Sequence, residues 1–321
     1  MRDRLLTVLR VAVSLGLLAF VLTRPAIVGA DWRGMLAHLR IGSWLLALLI
    51  YVFAIGLNVM KWQVLVRALG IHVAYRTLFR HNLVGLFFAN LPLSMVGGDI
   101  ARGWDLARTS AAAQAAPVAV SVLLDRLLGL GAFLLAASAG LAYACTGLGR
   151  ADLAWLLTTV AVVLAGFLVA MAALMSERLR RLAERLFGLG PLKRLLPLYQ
   201  RVSNSVQVYR SRARPLLLAF GLGLATVLAT CIVNYLAARA TGAEVPWAWV
   251  FVLTPLTPFA LYIPSIASGL GVNQLVFVAL YHNLTGVMSE PVSLAFSLAM
   301  QVIIVASSLP GAALWWRRKK T

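Results

Sequence analysis

Acidic residues are scarce in this chain: 10 Asp and Glu stand against 29 Lys and Arg in 321 residues. Cysteine is scarcer, with Cys145 and Cys231 alone, too far apart for a CxxC pair and too few for a disulfide framework. Both lie in or beside apolar stretches, where a free thiol serves as a small core residue. The four histidines, His38, His72, His81 and His282, are scattered, with no ligand partner at i+3 or i+4. HExxH, a Walker A loop and GxSxG are absent, so zinc hydrolase, P-loop and α/β-hydrolase chemistry have no footing. No metal and no cofactor is expected. Charge of either sign makes up only 12% of the chain, about half the share in a soluble domain. What fills the space is apolar: 61% of residues are hydrophobic, and the mean hydropathy is +0.88. Only a bilayer solvates such a chain. The net charge of +19 does not indicate a nucleic-acid partner, because the basic residues sit in short runs between apolar stretches.

A transmembrane helix needs about 20 mostly apolar residues. Spans are expected near 5–23, 43–60, 117–144, 153–175, 215–238 and 292–316, with less regular apolar stretches at 81–98, 248–264 and 265–284. The first run begins with Arg2 and Arg4, as a signal peptide would. Arg10 interrupts it, however, and Arg24-Pro25 separates it from the small residues Val28-Gly29-Ala30, so a retained helix is expected. Segments 1–10, 61–80, 99–116, 177–214 and 317–321 hold 23 of the 29 Lys and Arg, which places them and both termini in the cytoplasm by the positive-inside rule. Residues flanking 81–98 then fall on the same side, so this stretch must dip and return. The expected fold is an all-α polytopic membrane bundle, one transmembrane domain over 1–321. It has about eight crossings plus the re-entrant segment; six remains the alternative if 248–284 forms a hairpin.

The dip reads Asn90-Leu91-Pro92-Leu93-Ser94-Met95-Val96-Gly97-Gly98-Asp99-Ile100-Ala101-Arg102, and a later stretch reads Ile263-Pro264-Ser265-Ile266-Ala267-Ser268-Gly269-Leu270-Gly271-Val272-Asn273-Gln274. Proline lacks an N–H and glycine relaxes the backbone, so the apolar helix should end near Pro92 and restart after Gly98, with a matching break in the later stretch. Each has Gly five residues after Pro and a polar side chain ten after it (Arg102, Gln274). Paired broken segments mark the substrate site of many transporters; Pro and Gly are also common in membrane helices generally. NLPLSMVGGDIAR, the following DRLLGL at 125–130 and IPSIASGLGVNQ together resemble the lysylphosphatidylglycerol synthase transmembrane family. That resemblance, over nearly the whole chain, implies the flippase-like fold found as the membrane half of multiple-peptide-resistance proteins and as stand-alone proteins of the bacterial inner membrane. It implies a lipid translocator, with amino-acyl transfer left to a separate soluble domain. The family's last motif commonly carries an acidic residue where this chain has Asn273-Gln274.

Ionisable residues at membrane depth face a cavity or a partner. Asp125 and Arg126 are adjacent and point about 100° apart, so each needs a partner elsewhere; Asp125 with Arg102 and Asp99 with Arg126 are the expected pairs. Such pairs either staple the dip to its neighbour or leave an Arg to hold a lipid phosphate through its planar fork. The substrate-contacting candidates are Arg80, Asn90, Pro92, Gly97, Gly98, Asp99, Arg102, Asp125 and Arg126, with Pro264, Ser265, Gly269, Gly271, Asn273 and Gln274. Arg80 and His81 also suit an interfacial anchor. Residues 177–214 are expected to be a basic amphipathic cytoplasmic segment, from Leu179, Leu182, Ala183, Leu186 and Phe187 on one face and a net charge of +8. Membrane lipids, anionic headgroups among them, are the expected partners, and a separate lipid-modifying enzyme is a further candidate. Three functions compete: lipid translocase, membrane-embedded lipid transferase, and scaffold for an enzyme encoded elsewhere. No segment offers a site for ATP or aminoacyl-tRNA, so catalysis is not expected.

Overall fold

The protein is described here by a computed structural model that covers residues 23, 39–90, 94–109, 115–177, 185, 200, 209, 213–261 and 271–318. Long apolar runs can satisfy their backbone in hydrocarbon only by closing it into helices, and they do so. The long helices are α1 (Ile41–Ala68), then, after two shorter ones, α4 (Ala115–Thr146), and further on α5 (Ala154–Met175), α6 (Ala213–Ala240) and α10 (Glu290–Arg318). All five are long and apolar enough to cross a bilayer. No strand occurs among the described residues. The all-α polytopic fold expected from the sequence is what forms.

Between α1 and α4 lie α2 (Tyr75–Ala89) and α3 (Ser94–Thr109). At 1.5 Å per residue, these 15- and 16-residue helices reach about 24 Å at most, short of the roughly 30 Å hydrocarbon core. The C-terminal irregular stretch is likewise built of short pieces. These are α7 (Trp247–Leu253), a 3-10 turn (Thr254–Leu256), α8 (Thr257–Leu261), α9 (Val272–Phe277) and a π-helical continuation (Val278–Leu284). The apolar helical run Trp247–Phe259 is shorter than a full span. The expected first span at 5–23 and nearly all of the amphipathic segment 177–214 lie outside the described residues.

The chain divides into two compact units. One comprises 1–56, 79–102 and 225–321; the other comprises 57–78 and 103–224. In the first, the Trp44 indole donates to the Ala299 carbonyl, tying α1 to α10. The Arg40 amide donates to the Ala240 carbonyl at 2.9 Å, tying the start of α1 to the end of α6. In the second, α4 packs along α5. An apolar cluster joins Leu65 and Ala68 of α1, Val120, Leu124 and Leu128 of α4, Ala219 of α6, and Tyr209. Tyr209 is fully buried there, and its hydroxyl donates to the Leu65 carbonyl at 2.9 Å. One residue of the basic 177–214 segment is thus anchored in the helical core.

Helix α1 corrects one boundary. The expected span stopped at residue 60, with Lys61 counted among the cytoplasmic charges. The helix instead continues to Ala68 and buries Lys61 to 4% exposure. Trp62, Leu65 and Val66 keep the helix apolar past the lysine, so a single cation does not end it. Neither α2 nor α3 is long enough to cross by itself, as a stretch that dips and returns requires. Single cysteines placed at Arg76 or Arg108, with Cys145 and Cys231 replaced, should therefore label with impermeant maleimide from the same side of the membrane. Labelling from opposite sides would refute a returning hairpin.

Candidate functional site

In the first unit the hairpin is held by glycine. A Cβ added at Gly85 would lie 2.8 Å from the Gly98 carbonyl oxygen and 3.2 Å from the Arg102 Cβ. One added at Gly98 would overlap the Gly85 carbonyl and come within 2.9 Å of the Ala89 Cβ. The two backbones approach this closely only because neither residue has a side chain. The hairpin's first helix is seated on α10 in the same way: a Cβ at Gly311 would overlap the Leu83 carbonyl. Pro310, inside α10, precedes that notch, and Phe88 meets Trp315 edge-on at 5.5 Å.

This packing positions the polar residues of the dip. Arg102, 3% exposed, donates from Nε to Asp99 Oδ1 at 3.0 Å, with Nη2 also 3.0 Å from that oxygen. Asp99 and Arg102 thus form an i,i+3 pair on one face of α3. Asn90, just after α2, has a buried Nδ2 with no hydrogen-bond partner among the described residues. Gly97 is half-buried and Gly98 buried, while Pro92 lies outside the described residues. His81 is buried to 1% rather than interfacial, and Arg80 beside it is exposed.

In the second unit Asp125, 2% exposed, faces Lys61: Nζ stands 3.1 Å from Oδ1 and donates to the Asp125 main-chain carbonyl at 3.0 Å. Next to it, the Trp62 indole donates to Ser121 Oγ at 3.1 Å. Small residues make room for the lysine. A Cβ at Gly129 would come 3.2 Å from Nζ, and one at Gly223 would come 3.4 Å from the Ala132 Cβ. The expected pairs, Asp125 with Arg102 and Asp99 with Arg126, included neither of these contacts. Lys61 was the missed residue; the signal was the apolar run that resumes directly after it. Arg126 is half-buried beside Asp125.

The second broken segment is described from Gly271 onward; Pro264, Ser265 and Gly269 fall outside the described residues. Gly271 takes φ +88, a left-handed conformation that favours glycine, and starts α9. Its amide donates to Gln274 Oε1 at 2.6 Å, so Gln274 serves as the helix's own N-terminal cap. Asn273 and Gln274 are both buried.

Two outcomes check this arrangement. Gly98→Ala or Gly311→Ala should each cost about 1–3 kcal/mol of stability by overpacking, read as a lowered Tm of the detergent-extracted protein. Lys61→Ala should cost about 3–5 kcal/mol by stranding a buried carboxylate, and adding Asp125→Leu to Lys61→Met should restore folded yield. A Lys61→Ala protein as stable as the wild type would refute the pair's role.

The sequence pattern that describes the lysylphosphatidylglycerol synthase TM region matches residues 7–311, nearly the whole chain. No curated protein is similar to it at a significant level. A match of that extent, over an all-α bundle, decides the relationship: the chain belongs to the lysylphosphatidylglycerol synthase transmembrane-region family.

Proposed function

We propose that the protein is a lipid translocase of the bacterial cytoplasmic membrane, with both termini cytoplasmic, moving a phospholipid or polyprenyl-linked lipid between leaflets. The observation that carries this reading is the α2–α3 hairpin. Its helices are each too short to cross, pack on one another at Gly85 and Gly98, and carry a 97%-buried arginine. Burying a guanidinium in a membrane protein is costly, and a pair serving only as a staple is replaceable by apolar packing. Asp99 fixes the orientation of Arg102, and guanidinium is the side chain whose planar fork takes two phosphate oxygens at once. Membership in a family of lipid metabolism supports a lipid as the cargo.

A transferase reading needs a carboxylate at liberty to act as base. Asp99 is held by Arg102, Asp125 by Lys61, and Asp152 by two hydrogen bonds from Arg150. The engaged state of these carboxylates favours transport over catalysis.

The test is transfer of a headgroup-labelled phospholipid between leaflets of reconstituted vesicles. Arg102→Lys keeps the charge and loses the fork, and should slow transfer by roughly one order of magnitude at unchanged folded yield. Arg102→Ala combined with Asp99→Asn should fold and stay inactive. A double variant that folds and transfers lipid at the wild-type rate would reduce Arg102 to a staple.

A further inference from the structure

The first unit contains a second polar group, distinct from the hairpin and without any charge. Asn234 lies on α6, Thr254 opens the 3-10 turn after α7, Gln274 lies in α9, and Tyr281 lies in the π-helical continuation. Their relative exposures are 2%, 0%, 0% and 0%. Among the described residues no well-aligned hydrogen bond reaches one buried side-chain atom of each: Asn234 Oδ1, Thr254 Oγ1, Gln274 Nε2 and the Tyr281 hydroxyl. The other halves of the two amides are used. Asn234 Nδ2 donates to the Thr230 carbonyl at 2.9 Å, and Gln274 Oε1 accepts from Gly271.

Thr254 lies within hydrogen-bonding reach of both the Tyr281 hydroxyl and the Cys231 thiol. Asn234 is three residues beyond Cys231, one turn along the same face of α6. Gln274 and Phe277 stand one turn apart on α9, and the Tyr281 ring stacks on Phe277 where the π-helical continuation begins. The tyrosine ring is held in place by Phe277 at 5.8 Å and Phe296 at 5.3 Å, so its hydroxyl has a fixed position. Backbone departs from α-helix on two sides of this group, and π-helical turns are frequent where membrane and soluble proteins bind ligands. Buried polar atoms are nearly always satisfied, by protein, water or ligand, and a bilayer interior supplies no bulk water to do it.

We propose that Asn234, Thr254, Gln274 and Tyr281 form a neutral hydrogen-bonding site for the hydroxyl groups of a lipid headgroup. The donor set fits that chemistry: two hydroxyls that both give and accept, one amide N–H pair and one amide carbonyl match an alcohol, and nothing there matches a charge. The inference rests on the translocase reading and deepens it: Arg102 takes the phosphate, and this group reads whether the headgroup carries hydroxyls.

The probes are short-chain phosphatidylglycerol and phosphatidylethanol. They share one phosphate charge, and only the first has free hydroxyls. Both are titrated onto the full chain in phosphatidylcholine nanodiscs. Wild-type protein should bind phosphatidylglycerol about three- to tenfold more tightly, the worth of one or two neutral hydrogen bonds. Thr254→Val and Tyr281→Phe should each abolish the preference and leave phosphatidylethanol binding unchanged. Equal affinities in the wild type overturn the site, which then holds only ordered water; that comparison decides even if both variants fail to fold. A preference that survives both variants overturns it as well. Leaflet-to-leaflet transfer by wild-type protein without any hydroxyl preference would sink this site and leave the translocase reading standing.

Discussion

A polar group carried into hydrocarbon must find its partner inside the protein, because the lipid offers none. That constraint organises this molecule more than any single apolar contact. Leucine and valine on the bundle's surface are as well solvated by lipid tails as by one another, and α5 shows it: most of its apolar side chains are exposed. What fixes α1 against α4 is the need to satisfy Lys61 with Asp125 and the Trp62 indole with Ser121, while Arg102 finds Asp99 one turn away on its own helix. Glycine and alanine then supply the close approach that such contacts need. Gly129 admits the lysine, and Gly85 with Gly98 closes the hairpin on itself.

The same constraint separates the two kinds of polarity in the chain. Charged groups are paired at short range on adjacent turns or adjacent helices, which neutralises them locally. The uncharged groups around Thr254 are only half satisfied. In a protein whose proposed cargo has a charged phosphate and often a neutral polar cap, both kinds have a use. The dip supplies an oriented guanidinium, and the broken C-terminal segment supplies neutral donors and acceptors.

Much of the fold was legible in the sequence because hydrophobic length is a direct physical requirement of spanning. The runs at 117–144, 153–175, 215–238 and 292–316 return as helices within two residues at each end. Helix α2 ends at Ala89, close to Pro92 as expected, whereas α3 begins at Ser94 rather than after Gly98, because Gly98 is used inside the helix to pack against Gly85. The site was less legible. Arg102, Asp99 and Asp125 stood out as charges at membrane depth, whereas Lys61 was hidden by its position at the edge of an apolar window. Which cation meets which carboxylate depends on helix rotation, and sequence spacing does not encode that across separate helices. Gly85 lacked any motif; its meaning lies in Gly98, thirteen residues away across the turn. Gln274 echoed Arg102 in spacing alone, and its oxygen is used to cap its own helix. Tyr209 gave no signal in a basic segment whose charges dominated the reading.

The buried polar interior is proposed to hold a lipid headgroup. Mass spectrometry of the lipid that stays with the protein through mild detergent extraction tests it most directly, with the bulk membrane extract as reference. A phosphate-bearing lipid should be enriched on the wild-type protein relative to bulk, with the enrichment lost in Arg102→Lys. Bound lipid in the same proportions as the bulk membrane, unchanged by that substitution, would contradict it.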